Sequence, residues 1–192
     1  MIIEKKNYKR SNWKNGLGFT NEIAIYPADA SLARGDFLWR LSSARIEKAS
    51  PFSLFPAHDR TLVVLQGAGI RLLHTFEEGE ESETVSLPLL EPYDFPGDVP
   101  SRCELVQGPI TDFSIFTKTG EINANTVIQT LDADEEFLWS AEGKWNYAFA
   151  VQHAVQTESG TLVEGDSYSC SSGEVTFTAS EDGATLLLVS LY

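Results

Sequence analysis

Cysteines, basic residues and long apolar runs are all scarce in this sequence of 192 residues. Its two cysteines, Cys103 and Cys170, cannot form a disulfide framework and are expected to be reduced thiols. No apolar run approaches the roughly 18 residues that span a bilayer, and the first residues lack the apolar stretch of a secretory signal. These absences predict a cytoplasmic protein.

Basic charge is also in deficit, since 14 Lys and Arg face 28 Asp and Glu, for a net charge of −14. This charge repels phosphate backbones and anionic lipids, so neither a nucleic acid nor a membrane partner is expected. Residues 1–60 nevertheless hold 10 basic and 6 acidic side chains. An anion-binding site is therefore expected in the first third of the chain. The acidic run at residues 77–83 is predicted to be a solvated hairpin tip.

Motifs for metals, cofactors and nucleophilic catalysis are missing. His58, His74 and His153 are widely separated, without His-x-His or Cys-x-x-Cys spacing, so no metal is expected. The segment Gly16-Leu17-Gly18 lacks the third glycine and the helix signal of a dinucleotide loop, and a tight turn is expected there instead. No catalytic residue and no cofactor are assigned.

Short segments of β-branched and aromatic residues, separated by Gly, Pro, Asp and Ser, make up most of the chain. Sustained helical periodicity is almost absent, which predicts an all-β fold as a sandwich, a barrel or two barrels. With 42% hydrophobic residues, the chain has enough apolar side chains for a core. The predicted strands include residues 20–26, 37–45, 60–66, 112–117, 145–152 and 184–191.

An internal similarity suggests that the fold is duplicated. The pattern of residues 89–95, followed by a strand, a Gly-containing turn and the strand at 112–117, recurs at residues 162–191. We therefore predict an N-terminal barrel with a polar pocket at residues 1–118. Residues 119–192 are predicted to form a connection, at 119–144, and a tightly packed C-terminal barrel.

Period-two alternation groups polar side chains on single faces of the strands in the first lobe. Thr20 shares a face with Glu22, Arg40 with Ser42, and Asp112 with Ser114. Alternation alone leaves two interpretations open, because such faces either line the lumen of a barrel or meet solvent.

Six blocks of the sequence together resemble the HutD/Ves family of small bacterial bicupins. In chain order they are WKNGLGFTNEIA at residues 13–24, FLWRLS at 37–42, PFSLFP at 51–56, DRTL at 59–62, FPGD at 95–98 and GPITD at 108–112. The resemblance implies two jelly-roll cupin barrels without the metal-binding histidines of many cupins. It also implies a link to histidine utilisation or stress response, and a role in binding a small acidic intermediate such as formylglutamate. Leu17 and Ser114 depart from the family pattern, which usually has Gly and Asn there.

Two arginines on the polar faces, Arg60 and Arg40, lie within these blocks. A guanidinium can bind a carboxylate through two parallel hydrogen bonds. Arg60 is ranked first because it begins a strand beside a loop. For each arginine the alternative is a structural ion pair with Asp59, Glu22 or Asp112. The proposed ligand-binding set is Arg60, Arg40, Asn15, Thr20, Glu22 and Asp112, with Trp13 and Phe52 either as pocket walls or as core aromatics.

These observations favour a non-enzymatic protein that senses or sequesters a small carboxylate metabolite. One alternative is a metal-free cupin enzyme, similar to an isomerase or epimerase, that acts on a small anion. It would need an acid or base such as Glu22, Tyr26 or His58 at the pocket. A regulatory protein that acts through its surface is a third possibility, and a homodimer is left open.

Overall fold

Strands account for nearly all regular structure in residues 1–76 and 82–192, the part of the chain that the computed structural model describes. This confirms the predicted all-β class. The one helix of that part is a three-residue 3-10 turn, Lys5–Asn7, so no helix there can cross a membrane. In chain order the strands are β1 Ile2–Ile3, β2 Lys9–Asn12, β3 Gly18–Tyr26, β4 Trp39–Ile46, β5 Ser50–Pro51, β6 His58–Gln66, β7 Ile70–His74, β8 Glu83–Leu87, β9 Tyr93–Pro96, β10 Ser101–Leu105, β11 Ile110–Lys118, β12 Ala124–Leu131, β13 Glu136–Ala141, β14 Trp145–Gln152, β15 Val155–Thr157, β16 Gly160–Leu162, β17 Ser167–Cys170, β18 Gly173–Ala179 and β19 Ala184–Leu191.

The chain divides into two compact units. The first unit is Lys9–Ile122, and the second unit combines Met1–Tyr8 with Asn123–Tyr192. The sequence-based division at residue 118 grouped residues 1–8 with the first lobe. In the structure β1 instead pairs with β17 of the second unit, with Ile2 opposite Tyr168.

Two antiparallel sheets form the first unit. The six-stranded sheet has the order β2-β3-β4-β11-β6-β9, and the four-stranded sheet has the order β5-β10-β7-β8. Apolar side chains of both sheets share one buried cluster, which includes Leu62 and Val64 of β6, Leu72 of β7 and Cys103 of β10. The two sheets therefore enclose a common interior, as in a jelly-roll barrel.

The second unit repeats this topology. Its sheets have the orders β1-β17-β14-β19-β12 and β13-β18-β15-β16. The series β4-β11-β6-β9 corresponds to β12-β19-β14-β17, and β5-β10-β7-β8 corresponds to β13-β18-β15-β16. The duplication expected from the internal similarity is thus present in the strand order. The interior of the second unit is filled by a buried cluster that includes Trp139, Phe177, Leu186 and Leu188.

The structure differs from the sequence prediction at residues 119–144. This stretch was expected to connect the two lobes, but it contains β12 and β13, which are strands of the second unit. In β13 the inward residues Trp139 and Ala141 are buried, whereas Leu138 and Ser140 are exposed. The strand β13 was missed because acidic residues precede it and its apolar residues 137–139 are adjacent to one another, without alternation. Of the acidic run at 77–83, residues 77–81 lie outside the described residues, and Glu83 begins β8.

Candidate functional site

A cavity of about 520 Å³ lies in the first unit, lined by polar residues of its six-stranded sheet. Strands β4 and β11 contribute side chains from alternate positions, which belong to the inner face of the barrel, and β6 contributes Arg60. The end of β2, the loop that follows it and the segment after β5 complete the wall. Of the two interpretations left open by alternation, the structure therefore supports a polar lumen. The lining residues are Ser11–Asn15, Thr20, Leu32, Arg40, Ser42, Ala44, Pro51, Phe52, Ser53, Phe55, Arg60, Asp112, Ser114 and Phe116.

Arg60 of β6 is held in this cavity by a serine and by aromatic rings. Its Nε and Nη2 donate to Oγ of Ser114 at 3.3 and 2.9 Å. The guanidinium carbon lies 4.0 Å from the ring centre of Phe52 and 5.1 Å from that of Phe116. Burial lowers the pKa of Arg60 to about 10, so the side chain remains a cation at neutral pH. Cation–π contacts of this kind partly replace its lost hydration.

Arg40 of β4 has a carboxylate partner. Its Nε donates to Glu22 Oε2 at 2.8 Å, and its Nη1 donates to Ser42 Oγ at 3.0 Å. The two arginine side chains are equally hidden, with 6% of Arg40 and 8% of Arg60 exposed. Exposure therefore does not separate them, contrary to the reason for which Arg60 was ranked first. Their ion-pair partners do distinguish the two arginines, because Glu22 neutralises Arg40 at hydrogen-bonding distance.

Asp112 of β11 is the buried acid of the cavity. Its Oδ1 accepts a hydrogen bond from the Ala44 backbone N–H at 3.2 Å. Its Oδ2 lies 3.9 Å from Arg60 Nη2, which is too long for a hydrogen bond. Burial raises the pKa of Asp112 to about 6, although the Arg60 charge opposes that shift.

The loop between β2 and β3 shapes the mouth of the cavity. Trp13 Nε1 donates to Thr20 Oγ1 at 2.8 Å, and Asn15 Oδ1 accepts from the Leu17 N–H at 3.0 Å. Gly16 adopts a φ of +69°, as a tight turn requires. This agrees with the turn expected in place of a dinucleotide loop.

Five of the six predicted ligand-binding residues line this cavity: Arg60, Arg40, Asn15, Thr20 and Asp112. The sixth, Glu22, is not among the lining residues and serves as the ion-pair partner of Arg40. The structural ion pair is therefore present for Arg40, and Arg60 has Asp112 as its ion-pair partner at 3.9 Å. Asp59 is exposed and is partner to neither arginine.

Several lining residues were not predicted from the sequence. Ser42 and Ser114 share faces with Arg40 and Asp112, so alternation was a signal that could have placed them in the set. Lys14, Ser53 and Phe55 lie in loops, where no periodicity marks the inward side. Trp13 and Phe52 do form walls, and both also pack on the apolar cluster.

The acid and base candidates of the enzyme alternative lie elsewhere. His58 is buried, and its two ring nitrogens contact the backbone oxygens of Pro56 and Phe37 at 3.1 and 2.9 Å. Tyr26 stacks on Trp39. Neither residue lines the cavity. Within the described residues, no three His, Cys, Asp or Glu side chains converge as a metal site would require.

Comparison with known proteins finds relatives that match about 60% of the chain. A Pseudomonas putida protein, described as an uncharacterized 21.2 kDa protein in the hutC 3' region, is 40% identical over 118 residues, which are 60% of this chain and 56% of that protein. The Ves protein of Escherichia fergusonii is 33% identical over 117 residues, with the same coverage. The chain thus spans a little over half the length of these curated relatives.

Solved structures match over the whole chain. A conserved protein of unknown function from Pseudomonas aeruginosa has a TM-score of 0.81 at 28% identity, and HutD from Pseudomonas fluorescens has 0.75 at 30% identity. In both cases all of this chain and 97% of the other are covered. An oxalate decarboxylase, at 8% identity and a TM-score of 0.66, shares the fold alone. These neighbours and the duplicated jelly roll confirm the predicted bicupin fold. The HutD family model matches residues 5–187, and the chain therefore belongs to the HutD family.

Proposed function

We propose that the first unit binds a small carboxylate metabolite, such as formylglutamate, and so senses or sequesters it in histidine utilisation or stress response. The observation that carries the proposal is a pair of buried arginines in one cavity of about 520 Å³. The cavity is large enough for a small metabolite and falls within the usual range for ligand pockets.

The guanidinium groups retain unused donors. Among the described residues, Arg60 Nη1 and Arg40 Nη2 donate no hydrogen bond. A carboxylate oxygen is the acceptor that such N–H groups bind most strongly, because both partners are charged. The side chains of Phe52 and Phe116 limit the movement of Arg60, which reduces the entropy lost on binding.

The relatives support the pathway part of the proposal by name. One is described by its position in the hutC 3' region, and another is Ves. The structure of HutD from Pseudomonas fluorescens carries the description "Formate condition", and formate is therefore included among the ligands to test.

Calorimetric titration of the wild type and of Arg60→Ala with formylglutamate, glutamate, urocanate and formate tests the proposal. Loss of a charge-assisted pair is expected to weaken binding by about 1.5–3 kcal/mol, roughly tenfold or more. Arg60→Lys keeps the charge but loses the planar fork, so we expect an intermediate loss. Arg71→Ala is the matched control, because Arg71 is an exposed arginine of β7 paired with Glu104.

Failure of all four ligands to bind the wild type would contradict the proposal. Equal binding by a folded Arg60→Ala variant would show that the assigned site is wrong. A loss of the same size in Arg71→Ala would mean that net charge, and not the cavity, determines affinity.

One observation favours the enzyme alternative. Asp112 lines the cavity with a pKa raised by burial to about 6, which suits an acid or base that works near neutrality. A metal-free isomerase or epimerase would turn over a small anion in this cavity. NMR spectra of the four ligands after incubation with the wild type in D2O distinguish the two functions. A binding protein returns each ligand unchanged, whereas an isomerase changes its spectrum and an epimerase exchanges a carbon-bound proton for deuterium.

A further inference from the structure

Asp112 occupies an unusual position for a carboxylate, because one of its oxygens has no hydrogen-bond donor. The residue is 1% exposed and belongs to the inner face of β11. Oδ1 accepts from the Ala44 N–H, whereas Oδ2 receives no hydrogen bond from the described residues. An ionised oxygen that is buried in this way is costly, while a protonated one can act as a donor.

The charges around Asp112 can be counted element by element. Arg60 of β6 faces it at 3.9 Å. Arg40 of β4 is compensated by Glu22 of β3. In the other sheet, Cys103 of β10 is uncharged, since burial raises its pKa to about 12. Lys14, in the loop after β2, is exposed to solvent and therefore screened. Without a ligand, the buried group is neutral overall, with Asp112 balancing Arg60.

A bound carboxylate would upset this balance. If its negative charge joins Arg60 while Asp112 stays ionised, the cavity holds one uncompensated negative charge among buried groups. A buried net charge is strongly disfavoured, and two carboxylates beside one guanidinium also repel each other. Transfer of one proton from solvent to Asp112 Oδ2 restores neutrality around Arg60, with the second carboxylate of a dicarboxylate ligand placed outside this buried group. The same proton supplies the hydrogen bond that Oδ2 lacks, because the O–H can donate to the ligand.

We propose that Asp112 takes up a proton when a carboxylate binds to Arg60, so that the cavity binds the anion and the proton together. This inference rests on the proposed function and makes Asp112 a specificity residue, since the bound group must accept a hydrogen bond from a neutral acid. The raised pKa of Asp112 means that this proton is gained readily near neutral pH. Burial leaves the pKa of Arg60 at about 10, so the arginine keeps its charge throughout.

Titration calorimetry with formylglutamate in phosphate and in Tris at pH 7.5 measures the proton directly, because the two buffers absorb different amounts of heat when they lose a proton. We expect uptake of close to one proton per formylglutamate. Linkage then requires the affinity to fall about tenfold for each pH unit above 7, where free Asp112 is ionised. The carboxylates of formylglutamate do not titrate in this range.

Asp112→Asn is the matched variant, because an amide is uncharged, keeps an oxygen for the Ala44 N–H and can donate to the ligand. We expect this variant to bind formylglutamate without proton uptake and with an affinity that is the same at pH 6.5 and pH 8. Asp59→Asn is the control, since Asp59 is an exposed neighbour of Arg60 in β6, and it should behave as the wild type.

Binding by the wild type with no proton uptake would overturn this inference and leave the proposed function intact. Proton uptake that persists in Asp112→Asn would also overturn it, because another group would then carry the proton. If titration of formylglutamate into the wild type gives no heat of binding, both the inference and the choice of formylglutamate as the ligand are contradicted. The wild-type buffer experiment decides the matter even if Asp112→Asn fails to fold.

Discussion

The Arg60 side chain is held in one orientation and still has a hydrogen-bond donor that a ligand could use. Its Nε and Nη2 are bound to Ser114, and its guanidinium plane is surrounded by aromatic rings, while Nη1 has no acceptor among the described residues. A side chain that is already ordered loses little entropy when a ligand binds. The orientation of Arg60 therefore depends on Ser114.

Asp112 also makes folding stability depend on pH. Its folded pKa of about 6 exceeds the ordinary value of 3.8, so the folded protein holds this proton more tightly than the unfolded chain does. The contribution to stability is therefore fully present below pH 3.8 and is lost as the pH rises through 6. The difference corresponds to about 3 kcal/mol above pH 7.

We expect Asp112→Asn to remove this pH dependence, so that the stability of the variant relative to the wild type rises by about 2–3 kcal/mol between pH 4 and pH 8. Urea unfolding at several pH values, followed by tryptophan fluorescence, measures this change. A difference between variant and wild type that is the same at both pH values would show that Asp112 does not titrate between them. Asp59→Asn again provides the control, because its carboxylate is exposed.

At the scale of elements, the β2–β3 hairpin positions the mouth of the cavity, and Gly18 sets its distance from β4. A Cβ at Gly18 would lie 2.1 Å from the Arg45 carbonyl oxygen and 3.2 Å from Trp13 Cε3. The backbone oxygen of a central strand cannot move aside easily. Only glycine therefore fits between the hairpin and β4.

Gly18→Ala is expected to lower the free energy of unfolding by about 2–3 kcal/mol, because the added methyl group forces β3 away from β4. Gly16→Ala, in the same hairpin, is the matched control. Its Cβ would meet nothing within 4 Å, so the cost is only that of a positive φ, about 1 kcal/mol. Chemical unfolding of both variants measures the two values, and equal losses would contradict the steric explanation.

Alternation predicted the elements that carry the site better than the loops around it. The strands predicted at 145–152 and 184–191 match β14 and β19, and the polar faces of β4 and β11 do point into the cavity. Glu22 keeps the register of Thr20 on β3 and was misplaced because it pairs with Arg40, a contact that alternation does not reveal. The edge strands β1, β2 and β5 are short, and their sequences have no apolar alternation that could reveal them.

The whole molecule consists of one topology used twice with different interiors. Ile110 and Ala184 begin the equivalent strands β11 and β19, so Asp112 and Ser114 correspond to Leu186 and Leu188. The same inward positions are therefore polar in the first unit and apolar in the second. A pattern of period two shows that the interiors differ. It does not show which strand pairs complete each barrel, since that depends on contacts distant in sequence.

The equivalent of Arg60 shows why the second unit has no comparable binding group there. Arg60 lies opposite Phe116 in the register of β6 and β11, and Asn146 lies opposite Ser190 in that of β14 and β19. Asn146 is fully buried, but its amide accepts from the Gly143 N–H at 2.9 Å and donates to the Gly143 carbonyl at 2.7 Å. Its hydrogen bonds are thus used within the backbone turn, whereas those of Arg60 are partly free.

The first eight residues are part of the second unit through backbone and side-chain contacts. Beyond the β1–β17 pairs, the Lys5 N–H donates to Asp166 Oδ1 at 2.7 Å, and the Tyr8 hydroxyl hydrogen-bonds to Ser167. Asp166 is only 5% exposed, so loss of its donor would leave a buried carboxylate without that hydrogen bond. These contacts close the edge of a sheet whose centre holds the core of the unit.

We expect deletion of residues 1–8 to destabilise the second unit by at least about 2 kcal/mol, because it removes two ladder positions and the donor to Asp166. Hydrogen–deuterium exchange should become faster in β17 and in its neighbour β14. Lys6→Ala is the control, since Lys6 is exposed and its loss leaves the ladder intact. Because residues 1–8 pair within their own unit, exchange in β6 and β11 and the affinity for formylglutamate should be unchanged by the deletion. Unaltered exchange in β17 would mean that β1 contributes nothing to the stability of the sheet.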